Sequence, residues 1–310
     1  MGALVHMNDG QTRTKGERGA EWWDRVRLFF ERFLKPDPPK QLYHYTSGAA
    51  LLAIIDSGAL RLSEIRYLND TAEFSYTLEM VREHLSKLAQ SDGDTKALVP
   101  ALNAAVQVAA TTHRFYVGCF SEKGDQLSQW RGYAGPSGFS LGFSTAGLLE
   151  AAEKSEHMLN LARCIYDIER QWKILDDATT YLLDDFRELL RRARPRREVL
   201  EDIAMAAGDI FSTLATQFKH PAFHEEAEWR LVLRTWSSSS AKPQFRPGTR
   251  FLIPYFELSL KDHSSSALET LIVGPTPHPD EALESAAQLF SKLRLDPKCV
   301  TRSSLPFRDW

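Results

Sequence analysis

Apolar residues in this chain switch between a two-residue and a 3.6-residue period in irregular order, and that irregularity constrains the fold more than any other feature. Strand-like runs fall at residues 42–46, 59–62, 115–120, 138–143, 228–235, 250–254 and 270–273. Helical spacing occupies 48–56, 71–88, 97–112 and 279–293. The stretch 145–220 is mostly helical, with one strand-like interruption at 163–167. A doubly wound parallel sheet needs strand and helix to alternate, and here they do not. The pattern predicts an α+β fold with a mixed or antiparallel sheet. At 310 residues the chain can bury a full core. It divides into an N-terminal extension over 1–40 and one α+β domain over 41–310, with the helical stretch about 145–220 as an insertion. In the extension, Trp22, Val26, Phe29, Phe30 and Phe33 share one face of an amphipathic helix over 21–34. Pro36, Pro38 and Pro39 end it. That face predicts packing on the main domain, with a partner or membrane-surface helix as the alternative, the membrane version weakened by Glu21, Asp24 and Glu31.

A net charge of −3 gives no global attraction to nucleic acid or to an anionic membrane. The one conspicuous basic run, Arg191 to Arg197, reads as a solvated turn between helices, with contact to a nucleic-acid backbone as the alternative. Cys119, Cys164 and Cys299 are odd in number and far apart, which predicts reduced thiols and neither a disulfide framework nor a zinc motif. No apolar run is long enough to span a membrane, and the polar N-terminus does not resemble a secretory signal. A cytoplasmic protein is expected.

Chemistry-bearing side chains concentrate in four blocks. The first opens with Leu42-Tyr43-His44-Tyr45-Thr46-Ser47, where a strand end carries an imidazole, two phenols and a hydroxyl. Ser47 is placed to cap the helix that follows and Gly58 to close it, before Arg61, Arg66, Tyr67 and the polar pair Asn69-Asp70. Such a crowd of rings with polar tips suits a planar, polar ligand such as a nucleotide. The second block puts Trp130 and Tyr133 on one face of a short helix, as packing under a loop or as a wall of the same pocket. The third is His220-Pro221-Ala222-Phe223-His224-Glu225-Glu226-Ala227-Glu228-Trp229-Arg230. On a helix His220, His224 and Glu228 would share a face, but the spacing lacks His-Glu-x-x-His and no metal is expected. If Glu226 and Glu228 bracket a strand start they point the same way, one to a pocket and the other to Arg230, Arg234 or Arg61. In the fourth, Leu271-Ile272-Val273-Gly274-Pro275 ends a strand just before a helix start that suits a phosphate. No P-loop, Gly-x-Gly-x-x-Gly fingerprint or Gly-x-Ser-x-Gly elbow occurs.

Taken in order, these blocks resemble a bacterial family catalogued as domain of unknown function 2971. Its pattern of an aromatic-rich first strand, Asn-Asp, Cys-Phe-Ser, Trp-x-x-Tyr-Ala, Gly-x-x-Leu-Gly-Phe, Glu-x-Glu-Trp-Arg and a late strand ending in Gly runs here from Tyr43 to Gly274. More distantly, the first block followed by Gly58 and Leu60 is similar to the first motif of ADP-ribosyltransferases of the DNA-modifying toxin and RNA 2′-phosphotransferase types. A middle Ser-Thr-Ser motif of that pattern is absent. The resemblance implies a split, mixed sheet that binds NAD as substrate in a central cleft. It implies that His44 and Thr46 hold the nicotinamide-side ribose and the amide, and that Glu228 or Glu226 supplies the carboxylate. Tyr67 or Tyr133 would stack on the nicotinamide, Arg61 or Arg66 would neutralise the pyrophosphate, and Tyr43, Tyr45, Asn69 and Trp130 would complete the pocket. The activity implied is ADP-ribosyl transfer to nucleic acid or protein by a toxin or defence effector. The alternative is a sensor that binds a nucleotide or a partner protein in the same pocket without chemistry. A metal-dependent nuclease site at Asp70, Glu73 and Glu228 is the least favoured reading.

Overall fold

The structure, a computed structural model, describes residues 16–35, 37–68, 72–91, 93–135, 138–192, 194–236, 239–261 and 267–306, the side chains of 16–22 and 72–73 excepted. In order the elements are α1 (Gly16–Phe33), β1 (Gln41–Thr46), α2 (Gly48–Ser57), β2 (Ala59–Glu64), α3 (Ala72–Leu88), α4 (Gly93–Thr112) and β3 (His113–Ser121). A single turn α5 (Leu127–Gln129) runs into a π-helical turn, Trp130–Ala134. Then come β4 (Phe139–Ser144), α6 (Thr145–Lys154), β5 (Leu159–Arg163), α7 (Ile168–Arg191), α8 (Arg196–Leu214) and a 3-10 helix, Pro221–Glu226. The chain ends with β6 (Glu228–Trp236), β7 (Gln244–Pro247), β8 (Leu252–Ser259), β9 (Leu268–Val273), α9 (Pro279–Lys292) and β10 (Val300–Arg302).

Local signals set several boundaries. The Ser47 hydroxyl accepts from the Ala50 N–H at the start of α2, and Gly58, at φ 60°, donates its N–H to Ile54 at the end. Asp167 caps α7 through the Arg170 N–H at 2.7 Å. That cap bears on the strand expected at 163–167. It lies earlier, as β5, pairing from Leu159↔Leu233 to Arg163↔Trp229, and beyond it only Ile165 makes an isolated bridge, to Phe218. The run at 250–254 extends into β8, and the preceding β7 is an additional strand on the sheet edge, where Pro247 is tolerated.

The fold is α+β around a mixed, open ten-stranded sheet. The main path runs β10-β9-β4-β1-β3-β2-β8-β7, with β6 also on β3 and β5 outside β6. β9 and β10 are parallel, and the other strand pairs are antiparallel. β6 covers one edge of β3 from His113 to Ser121. β1 and β2 therefore share the other edge, and they meet it at opposite ends. β1 pairs at Tyr43↔Ser121, while β2 pairs at Ser63↔Val117 and Glu64↔Tyr116. The sheet forks between them.

Strand alternation sends β6 side chains to two different layers. Trp229, Leu231 and Leu233 join Tyr116, Phe120, Leu42, Phe143 and Phe290 in one apolar core. Glu228, Arg230 and Arg234 take the opposite face. Arg230 donates to the Thr216 carbonyl just past α8, and Arg234 pairs with Asp209 on α8. The second core lies among α1, α3, α4, α7 and α8, with Phe29, Leu85, Leu182, Phe186 and Phe211 fully buried. α1 contributes Val26 and Phe29, and Phe29 packs on Tyr181 of α7 at 5.8 Å. The Trp22 side chain lies outside the described residues. Among the described residues no helix is long and apolar enough to cross a membrane.

Candidate functional site

Where β1 and β2 part, His44 reaches the stretch of β3 between its two partners, with Nδ1 2.9 Å from the Cys119 carbonyl oxygen. A carbonyl only accepts, so Nδ1 carries the proton and Nε2 is left as the acceptor of a neutral ring. Burial favours that neutral form and lowers the His44 pKa, against the opposing pull of the Cys119 bond. Tyr45 is fixed beside it. Its hydroxyl donates to the Lys123 carbonyl at 2.7 Å and accepts from the Gln126 N–H at 2.9 Å.

The fork opens into a cavity of about 540 Å³. β1 lines it with Tyr43, His44, Tyr45 and Thr46, and the β2 side contributes Arg61, Ser63 and Tyr67. Cys119, Gln129 and Tyr133 form another wall, Lys219, Glu226, Glu228 and Arg230 a third, and Arg246 of β7 a fourth.

The two glutamates sit at an unusual backbone junction. Ala227, between the 3-10 helix and β6, adopts φ 44° and ψ 50°, the left-handed region that side chains with a Cβ avoid. Across that kink two consecutive elements aim their carboxylates at one ammonium. Lys219 Nζ lies 2.5 Å from Glu226 Oε2 and 2.8 Å from Glu228 Oε2. Arg230, two residues along the same face of β6, grips Glu228 with Nε at 2.8 Å and a terminal nitrogen at 2.9 Å. The Cys164 thiol adds a weak bond at 3.6 Å. Burial alone would raise the Glu228 pKa, but Arg230 and then Lys219 outweigh it and hold the group at about 2. Glu226 differs. Burial raises its pKa more than Lys219 lowers it, and its other oxygen takes a 3.0 Å hydrogen bond from the Tyr133 hydroxyl. Glu228 is thus a fixed anchor, and Glu226 is the more basic carboxylate, presented with a tyrosine.

The opposite end of the cavity is cationic. Arg61 stacks over Tyr255 at 4.9 Å and is 3.8 Å from Glu257, while Arg246 donates to the Ser63 hydroxyl at 3.2 Å. Burial, and next the nearby Arg61 charge, lower the Arg246 pKa.

His44, Glu226, Glu228, Tyr43, Tyr45, Thr46, Arg61, Tyr67 and Tyr133 all line this one cavity. Two other candidates do not. Arg66 turns to Glu64, with which it forms an ion pair. Trp130 lies behind the wall, edge-on to Tyr45 at 4.7 Å, with its indole N–H donated to Asp125. Asn69 lies outside the described residues, as do Asp70 and the Glu73 side chain. The shared helical face of His220, His224 and Glu228 does not form, because His220 caps the 3-10 helix and Glu228 belongs to β6. Among the described residues no three His, Cys, Asp or Glu side chains are grouped to hold a metal. The helix start after Gly274 carries Asp280 and Glu281 in its first turn, which opposes the phosphate expected there. Sequence reasoning missed Lys219 and Arg246. Lysine is among the least buried residue types, so nothing in the sequence marks Lys219 as the ion that organises the site.

A family model described as a protein of unknown function (DUF2971) matches residues 129–231. That stretch holds Tyr133, Lys219, Glu226, Glu228 and Arg230, while His44 and its strand lie before it. No curated protein and no solved structure matches the chain.

Proposed function

We propose that the cavity binds NAD and transfers its ADP-ribosyl group to an acceptor, nucleic acid or protein, as an effector enzyme would. The observation that carries this reading is the convergence of His44, Tyr133 and the Glu226–Lys219–Glu228 cluster on one side of a cavity whose other side is cationic. NAD presents a matching polarity. Its diphosphate suits Arg61, and its nicotinamide ribose becomes positively charged as the bond to the ring breaks.

In that step the C1′–N bond electrons leave with nicotinamide, and positive charge builds on the sugar, as in glycoside cleavage. A carboxylate at that place stabilises the transition state more than the ground state. Glu226 fits the part, since only Tyr133 and one contact to Lys219 engage it among the interactions described. The acceptor O–H or N–H attacks C1′, and its proton passes to Glu226, the more basic of the two carboxylates. Glu228 holds Lys219 and Arg230 in place. His44, neutral and oriented by Cys119, offers Nε2 to a ribose hydroxyl, and Tyr67 or Tyr133 offers a ring to the nicotinamide.

Incubation with NAD labelled in its nicotinamide ring, with DNA, RNA and protein extracts supplied, tests the reading. Wild type should release nicotinamide, and Glu226→Gln or His44→Ala should slow release about a hundredfold or more while far-UV circular dichroism stays unchanged. Wild type that neither binds nor consumes NAD overturns it. One observation favours a second reading, a sensor without chemistry: both Glu228 oxygens are already occupied by Arg230 and Lys219. That reading predicts a thermal shift with NAD and no nicotinamide released.

A further inference from the structure

No Asp or Glu occurs between Glu228 and Glu257, although that segment carries Arg230, Arg234, Lys242, Arg246 and Arg250. Arg230 and Arg234 are neutralised in the interior by Glu228 and Asp209. The other three belong to the β7–β8 hairpin and its approach, and none pairs with a carboxylate among the described residues. Lys242 donates to the Ser239 carbonyl and Arg246 to the Ser63 hydroxyl. The Arg191–Arg197 run is a useful contrast. Arg191 and Arg192 pair with Glu188, Arg194 with Asp202, and Arg197 with Glu201, so its charge is largely spent within the helices.

The hairpin also displays apolar surface beside those cations. Phe251 is 47% exposed and stands edge-on to Tyr67 at 5.3 Å, on the side where Tyr67, Arg246 and Thr249 line the cavity. Phe245 and Leu252, 60% and 63% exposed, fall on the other face by strand alternation. An exposed edge strand with apolar side chains invites strand addition by a protein, but β7 resists it. Pro247 lies in the strand and Pro243 just before it, and each removes an N–H from the edge.

We propose that this hairpin binds single-stranded nucleic acid at the mouth of the cavity, with phosphates on Lys242, Arg246 and Arg250 and a base stacked on Phe251. Exposed rings interleaved with unneutralised cations meet both features of an unpaired strand, its π-faces and its backbone charge. A duplex presents the charge but hides the base faces. As a ligand the strand stands on the hairpin alone; as the acceptor of an ADP-ribosyl group it rests on the reading above.

The test is fluorescence anisotropy of the full chain with labelled oligothymidylate and oligouridylate, titrated over a range of salt. Three phosphate contacts on a single strand predict a slope of log affinity against log salt of about −2. Arg250→Ala should reduce that slope by about 0.7, and Phe251→Ala should weaken binding about tenfold with the slope unchanged. Both side chains are exposed, and far-UV circular dichroism checks that the variants fold. A duplex of the same length should bind more weakly. The inference is overturned if neither oligonucleotide binds at low salt, if Arg250→Ala and Phe251→Ala bind as wild type does, or if the duplex binds as well as the single strand. Oligonucleotide binding without NAD consumption keeps this inference and removes the transfer reading. NAD consumption without oligonucleotide binding does the reverse.

Discussion

Glu228 meets Lys219 at 2.8 Å and Arg230 at 2.8 and 2.9 Å, so its carboxylate is fully engaged before any ligand arrives. Removing one partner from a buried ion pair leaves an uncompensated charge and costs about 3–5 kcal/mol. Glu228→Gln is therefore expected to lower the urea-unfolding free energy by that amount. Glu226→Gln should cost clearly less, because Lys219 keeps Glu228. Equal losses in the two variants would refute the division between anchor and working carboxylate. For the same reason Glu226→Gln is the cleaner probe of chemistry, since a Glu228 variant loses activity through the fold alone.

The junction between the 3-10 helix and β6 is where an element boundary creates the site. Regular strand geometry through Ala227 would have placed Glu226 and Glu228 at the same-face spacing that the sequence suggested. The left-handed Ala227 instead turns the chain between them, and both still reach Lys219. An Ala in that region costs about 1 kcal/mol relative to Gly. Ala227→Gly is predicted to raise thermal stability by about that much, while Gly58, at φ 60° with its N–H on Ile54, already has the residue its turn requires. A destabilised Ala227→Gly protein would mean that the Cβ makes a contact worth more than the strain.

At the scale of the molecule, the sheet and the helical layer are joined by buried polar contacts as well as by apolar packing. Arg234 lies between Trp23 and Trp236 and pairs with Asp209 at 2.8 Å, and His113 Nε2 lies 3.4 Å from the same carboxylate. Burial pushes Asp209 up to about 6 despite Arg234, while burial together with the Arg234 charge pushes His113 down to about 4. Between about pH 4 and 6 native Asp209 holds more proton than the unfolded chain does, so its contribution to stability falls as pH rises. His113 acts oppositely, because there the unfolded chain binds the proton and stability rises with pH. The two nearly cancel. His113→Gln should unmask Asp209, so that between pH 4 and 6 the variant loses stability relative to wild type as pH rises. Urea titrations of both proteins at fixed pH measure it, and a variant slope no more negative than that of wild type over that window would sink the account.

Much of this protein is legible in its sequence because local rules act over a few residues. Ser47 and Gly58 bound α2, the two periods separate strands from helices, and the crowding of polar rings at Tyr43–Thr46 marks a strand end that lines the cavity. β7 falls outside the strand-like runs of the sequence, and its Pro247 is tolerated because an edge strand can lack an N–H that a central strand needs. What the tertiary structure alone decided are meetings between distant segments. β1 and β2 share one edge of β3, and the gap between them turns His44 towards Cys119. Lys219 becomes a buried cation between two glutamates because β6 and the segment after α8 converge there. Neither outcome follows from propensity or period, since both depend on which strand edges remain open and on where a buried charge finds its counter-charge.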